Sequence, residues 1–301
     1  MRAAAYFALV ASLALWSGNW IVGRAVREDI SPALATLGRV FIVMLVVLPF
    51  AFQDFKQRLA NLSRADWRVL LLTGFFGGGV HLAMQWEGLR YTTATSATLF
   101  LSTSPVFILL LAPSLLGERV SARQWLGIGV SFAGIATIVS AGDPATLASL
   151  SFNRGDLLAL GSRFMWALYT IMLKRRRDAL DMPQFLLVLT VVGAVCLSPW
   201  VAWELAHEPH ASLSRNGVLA ILYSGIGSFL LAYLGWSYAV TRLGAARAGP
   251  WMHGVMAFGV LLAAVFLGEY PRWFHIAGVL LILAGIGISS LRPKKGSEQF
   301  S

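Results

Sequence analysis

Charge is what this 301-residue chain has least of. Only 13% of its residues are charged and 57% are apolar, with a mean hydropathy of +0.69. A soluble domain carries about a quarter charged residues, so too little polar chain is left here to cover a water-facing surface. Cysteine is nearly absent. Cys196 stands alone in an apolar run, which excludes an intramolecular disulfide and gives no support to a catalytic thiol. The fourteen acids all fall near the ends of apolar runs. A carboxylate proton relay across a membrane therefore has no candidate, and multivalent cations would find no ligands. There is no His-Glu-x-x-His, no glycine-lysine phosphate loop, and no Ser/Lys or Asp/Asp pair within an apolar run. These gaps argue against an intramembrane enzyme and against nucleotide-driven pumping; no metal and no cofactor is expected. Sustained alternation of polar and apolar residues is missing too, which removes a β-barrel.

What is present is a series of apolar runs near 20 residues, the length that crosses a hydrocarbon core ~30 Å thick. Ten can be read: 4–23, 33–52, 68–89, 94–115, 124–141, 156–173, 184–203, 217–240, 245–267 and 273–291. Helices are the expected form, because lipid offers backbone groups no partners outside their own segment. The first run is longer than the apolar part of a signal peptide, and Asn19-Trp20 stands where a small-residue cleavage site would be. It reads as an uncleaved span. Placing the N-terminus in the cytoplasm puts sixteen of the 24 basic residues on that side: Arg2, Lys56, Arg58, Arg64, Arg68, Arg119, Arg123, Lys174 to Arg177, Arg242, Arg247, Arg292, Lys294 and Lys295. The other side holds Arg24, Arg27, Arg90, Arg154, Arg215 and Arg272. That bias predicts both termini to be cytoplasmic. It also explains the net charge of +10 as topology, with no nucleic acid implied.

The chain is written twice. Gly117-Glu118, Gly127 and Ala133-Gly134-Ile135 return at Gly268-Glu269, Gly278 and Ala284-Gly285-Ile286, an offset of 151. Trp16/Trp166, Pro32/Pro183, Gly74/Gly225 and Trp86/Trp236 agree at offsets of 150 or 151. The copies divide at 1–152 and 153–301. Five spans per copy is an odd number, so the second copy enters the membrane from the opposite side. Two inverted five-helix repeats are a recurring plan of secondary transporters, with the substrate site between them near the midplane. Channels and structural duplicates share the plan.

These residues resemble a known family. The ten spans in two halves, the Pro105…Gly117-Glu118-Arg119 segment and its echo at Gly268-Glu269, the Gly155-Asp156-Leu157-Leu158-Ala159-Leu160 opening of the second half, and the basic tail are similar to the drug/metabolite transporter superfamily, EamA-type branch. The resemblance covers essentially the whole chain. It implies an all-α membrane protein with a central cavity, exporting metabolites, amino acids or drugs across a bacterial inner membrane. Within the superfamily the aromatic content is most similar to the aromatic amino acid exporters. A nucleotide-sugar antiporter of the same superfamily is the nearest rival, and would need more cavity cations than Arg39 and Arg163. One departure stands out: Met256 occupies the position matching Pro105, so a helix break is expected only in the first copy.

The substrate-binding candidates are the polar and aromatic residues inside the runs. Trp16, Asn19 and Trp20 share one helix face, turned to the cavity or to the interfacial aromatic belt. His81 and Gln85 follow a glycine run and share a face. His81 either touches substrate or sits satisfied in the bundle. Thr98 and Ser102 line a polar path or bond their own carbonyls. Arg163, Trp166 and Tyr169 form the matching face of the second copy, Arg163 attracting an anionic group or snorkelling. Arg39 reads as structural or snorkelling. Ser228, Tyr233 and Trp236 of the eighth run, with Trp251 and His253 of the ninth, complete the cavity by pseudo-symmetry, or pack. Indole and phenol rings suit flat, amphipathic or cationic guests. The small residues of the fifth and tenth runs permit close helix pairing; no oligomeric state follows.

Overall fold

The computed structural model describes residues 2–25, 30–89, 91, 100, 102–150, 152–175, 180–207, 214–268 and 271–290. The described chain is helical, and no strand occurs among the described residues. The long rods are α1 (Arg2–Ala25), α2 (Pro32–Ala51), α3 (Arg64–Gly88), α4 (Ser104–Leu116), α5 (Ala122–Val139), α6 (Arg154–Arg175), α7 (Met182–His207), α8 (Arg215–Leu243), α9 (Ala245–Phe266) and α10 (Trp273–Ser290). Eight of them, α2, α3 and α5 to α10, are long and apolar enough to cross a membrane. Two short helices, Phe55–Ala60 and Pro144–Ala148, lie in the connections.

Local signals start and stop the rods. Ser31 accepts from the Leu34 amide at the start of α2, where Pro32 supplies the first turn. Ser63 with Asp66 and Ser121 with Gln124 form capping boxes on α3 and α5. The repeated Gly-Glu has a backbone cause. Gly117 and Gly268 both end their helices in the left-handed region, at φ 67° and 65°, and a Cβ at either would meet nothing within 4 Å. Conformation, not crowding, requires glycine there.

Matched positions also share an irregularity. α3 contains a π-helical stretch at Phe75–Val80 and α8 one at Tyr223–Leu231. Such stretches free backbone carbonyls for other partners. A break restricted to the first copy does not hold. Pro105 sits in the first turn of α4, where proline is tolerated. α9 is interrupted by a 3-10 turn over Gly249–His253, which contains Pro250.

The closest packing joins α5 to α10 in antiparallel register. A Cβ on Gly127 would stand 2.4 Å from the Gly285 carbonyl, and one on Gly134 2.5 Å from the Gly278 carbonyl. Between them the Ser131 hydroxyl donates to Ile282 O at 3.2 Å. These contacts are reciprocal between positions 151 apart. α2 lies along α7, with the Ala33 amide donating to Glu204 at 3.0 Å and Gln184 donating to Gln53 O at 2.7 Å. At the end of the bundle where α5, α7 and α9 begin, Glu118 accepts from the Ala245 and Ala246 amides at 3.1 and 2.8 Å. Gln124 donates to Ala246 O at 2.6 Å and Lys174 to Thr241 O at 2.9 Å. That end is tied shut across the two copies.

Candidate functional site

Four rods meet at the centre of the bundle, and each presents an aromatic or polar side chain. α1 contributes Trp16. Its indole N–H donates to Ser228 O, inside the π stretch of α8, at 3.0 Å. The Trp16 ring meets Trp166 of α6 edge-on, with centroids 5.2 Å apart. Trp16 and Trp166 are repeat mates, so the two copies touch here through the same side chain. Tyr169, Tyr233 and Trp236 close the box around Trp166 at 5.0, 5.4 and 6.0 Å, and Phe229 packs on Tyr233 at 4.5 Å. Edge-to-face and tilted rings at these separations are favourable beyond their buried area. The π stretch of α3 makes room for the box: a Cβ on Gly77 would lie 2.2 Å from the Tyr169 ring.

His81 stands beside Trp166, with centroids 5.2 Å apart. Its Nδ1 lies 3.0 Å from Phe76 O. A carbonyl only accepts, so that nitrogen carries a proton. Nε2 faces the Tyr233 hydroxyl at 3.3 Å, and the same hydroxyl lies 3.1 Å from Gly77 O. The π stretch therefore hands two carbonyls to the His–Tyr pair. Below it runs a polar strip. Ser162 donates to His81 O at 2.8 Å, and Arg163 donates to Ser162 at 2.9 Å and to Gln85. Arg163 is 7% exposed and does not snorkel.

Arg39 does not snorkel either. It is 6% exposed, with its guanidinium carbon 5.8 Å from the Trp86 ring centroid. It lines a cleft with Asn19, Thr36, Trp86 and Ser224, whose wall also includes Ile30 and Pro32. The cleft encloses about 70 Å³, less than a small-molecule site needs, so it is nearly closed in this conformation. Ser224 donates to Asn19 Oδ1 at 2.7 Å across it.

The structure brings together Trp16, His81, Gln85, Arg163, Trp166 and Tyr169, and places Asn19 in the adjoining cleft. It does not bring Trp251 and His253 to them. Trp251 packs against Tyr6 at 5.4 Å. His253 Nε2 lies 2.9 Å from Ser102 O, its repeat mate, with Phe132 beside it. Both were expected in the cavity by pseudo-symmetry; the 3-10 turn of α9 advances the chain by about 120° per residue rather than 100° and directs them elsewhere. Thr98 and the side chain of Trp20 lie outside the described residues. Tyr233 and Trp236, offered by the eighth run to complete the cavity, belong to the box; Arg39, read as structural or snorkelling, and Trp86, read only as a repeat mark, line the cleft. The Trp86/Trp236 pairing at offset 150 is a signal that could have brought Trp86 to notice. No group of three or more metal-ligating side chains occurs among the described residues.

The chain is similar to known proteins over nearly its whole length. A model of the EamA-like transporter family matches residues 3–140 and, a second time, residues 153–291. The chain is similar to an uncharacterized transporter of Archaeoglobus fulgidus, 26% identical over 292 residues, covering 97% of this chain and 99% of that one. It is likewise 26% identical over 291 residues to a protein of Streptantibioticus cattleyicolor named a probable terminal-alkyne amino-acid exporter, covering 96% and 94%. One solved crystal structure shares the fold, with a TM-score of 0.78 at 20% identity, over 96% of this chain and 97% of that one.

Proposed function

The chain belongs to the EamA-like transporter family, and on that premise we propose that it is a secondary exporter of small metabolites, with aromatic and other neutral amino acids as cargo. It spans a bacterial inner membrane ten times, with both termini in the cytoplasm. Its halves, 1–152 and 153–301, are inverted repeats that expose the central site to each side in turn. The reciprocal α5–α10 contacts support the inversion, because a two-fold relation pairs each position with its mate's partner.

The observation that carries the cargo assignment is the Trp16–Trp166–Tyr169–Tyr233–Trp236 box with His81 at its edge. Rings from both halves meet at the centre, so a change in how the halves sit opens or closes a stacking surface. A flat ring bound there exchanges one set of aromatic contacts for another at little cost. The amino-acid exporter named among the relatives points to the same cargo class.

Counterflow of radiolabelled phenylalanine and tryptophan in proteoliposomes tests this reading. Trp166→Ala and His81→Ala are expected to weaken apparent affinity about tenfold, the effect of losing two or three ring contacts. Trp166→Phe keeps a ring and the packing, and is expected to fall between. Unchanged flux and affinity in both alanine variants would overturn the site.

A further inference from the structure

We propose that Arg39 is the anchor for a carboxylate on the cargo, held in the cleft beside the aromatic box. This deepens the transport reading and rests on it. The starting point is an imbalance. Two guanidinium groups are buried in the bundle core, and neither has an ion-pair partner among the described residues. A buried charge without a partner is costly, so a chain that keeps two of them there is built to receive opposite charge.

The two differ in what their nitrogens do. Arg163 is tied down through its Nη2 by Gln85 and Ser162, and only its Nε lacks a partner, so it offers no free fork. Arg39 is not tied down: both its Nε and its Nη2 lack a hydrogen-bond partner. Those two N–H groups lie on the same edge of the guanidinium and point the same way. They are the fork that grips both oxygens of a carboxylate side-on. The surroundings suit an organic anion. Trp86 stands against the guanidinium, and its own indole N–H is unpartnered. Asn19 and Ser224 form a neutral polar wall. Both free donors are closed from solvent in this conformation, so the carboxylate reaches them as the halves part. The cargo then lies with its ring towards Trp16 and Trp166 and its acid towards Arg39. Asn19, one turn from Trp16 on α1, is where the two ends of the molecule meet.

Four probes separate the acid from the ring: butanoate, butylamine, 3-phenylpropionate and 3-phenylpropylamine, each titrated against the purified full-length protein by thermal shift and calorimetry. Wild type is expected to bind the two carboxylates and to discriminate against the two amines. Arg39→Gln is expected to weaken both carboxylates about 10- to 100-fold, the range for losing a charge-assisted fork. Arg39→Lys keeps the charge but not the fork, and should lose less; it also carries the test if Arg39→Gln does not fold. Equal binding of butanoate and butylamine by wild type, or unaltered carboxylate affinity in either variant, overturns the proposal. The ring comparison is independent. If 3-phenylpropionate binds no better than butanoate, the aromatic cargo fails and the Arg39 anchor stands. If both phenyl probes bind equally, the reverse holds.

Discussion

Of the places where the halves of this chain meet, two are made of opposite materials. The α5–α10 seam consists of Gly127, Ser131, Gly134, Gly278, Ile282 and Gly285, with backbone against backbone. The central chamber consists of Trp16, Trp166, Tyr169, Tyr233 and Trp236. In the seam, small residues let carbonyls approach to distances no side chain tolerates. In the chamber the indole nitrogens of Trp166 and Trp236 are buried without a partner. A group in that state costs free energy that a different arrangement, or a ligand, recovers. A tight, satisfied contact has one arrangement; a ring cluster with spare donors has several. The seam is therefore the fixed frame and the chamber the part that changes.

The sharpest way to break this distinction is to thicken the seam. Gly134→Leu and Gly285→Leu each drive a side chain into a facing carbonyl: a Cβ there would stand 2.5 and 2.3 Å from backbone that cannot swing aside. The expected cost is about 3 kcal/mol or more, seen as loss of monodisperse protein in size-exclusion chromatography. Gly129→Ala, with nothing within 4 Å, is the matched control and should be neutral. Wild-type melting of Gly134→Leu would mean the seam is not the frame.

A smaller effect is expected where the frame meets the moving part. Glu118 reaches from the α4–α5 turn to the first amides of α9, a carboxylate on a helix N-terminus. Glu118→Ala leaves those donors bare, and a loss of about 1–2 kcal/mol in melting follows. Because this tie closes one end of the bundle, its loss should also raise labelling of a cysteine introduced at Thr241, beside it. Unaltered labelling would make Glu118 a cap and nothing more.

The frame was more legible in the sequence than the chamber, for a physical reason. Gly117 and Gly268 are required by φ, and Gly127 and Gly278 by a contact that recurs in each copy, so a repeat exposes them. The rods follow from apolar run length, and eight described helices satisfy it. In the chamber, Trp16, His81, Trp166 and Tyr169 could be chosen because polar and aromatic groups at depth need partners. Arg39 could not, because an arginine about 10 Å from a helix end snorkels or stays inside depending on its neighbours. Here Trp86, Ala220 and Ile221 of the neighbouring rods line the same cleft and keep it inside. Trp251 and His253 were misplaced because their turn is not α-helical.

The smallest effect expected is the most specific to the chamber. Tyr233→Phe keeps the ring, and with it the contacts to Trp166, Tyr169 and Phe229. It removes one hydroxyl, which has a single proton to share between Gly77 O and His81 Nε2. The net loss in melting should be about 1 kcal/mol, well below that of a seam variant. The consequence for His81 is larger than for stability, because its Nε2 is left facing a ring edge while Nδ1 stays on Phe76 O. If the chamber is the moving part, Tyr233→Phe alters cargo flux by more than its small loss of stability would account for, while Gly129→Ala in the frame alters neither. If the two variants behave alike in both melting and counterflow, the division between frame and chamber is wrong.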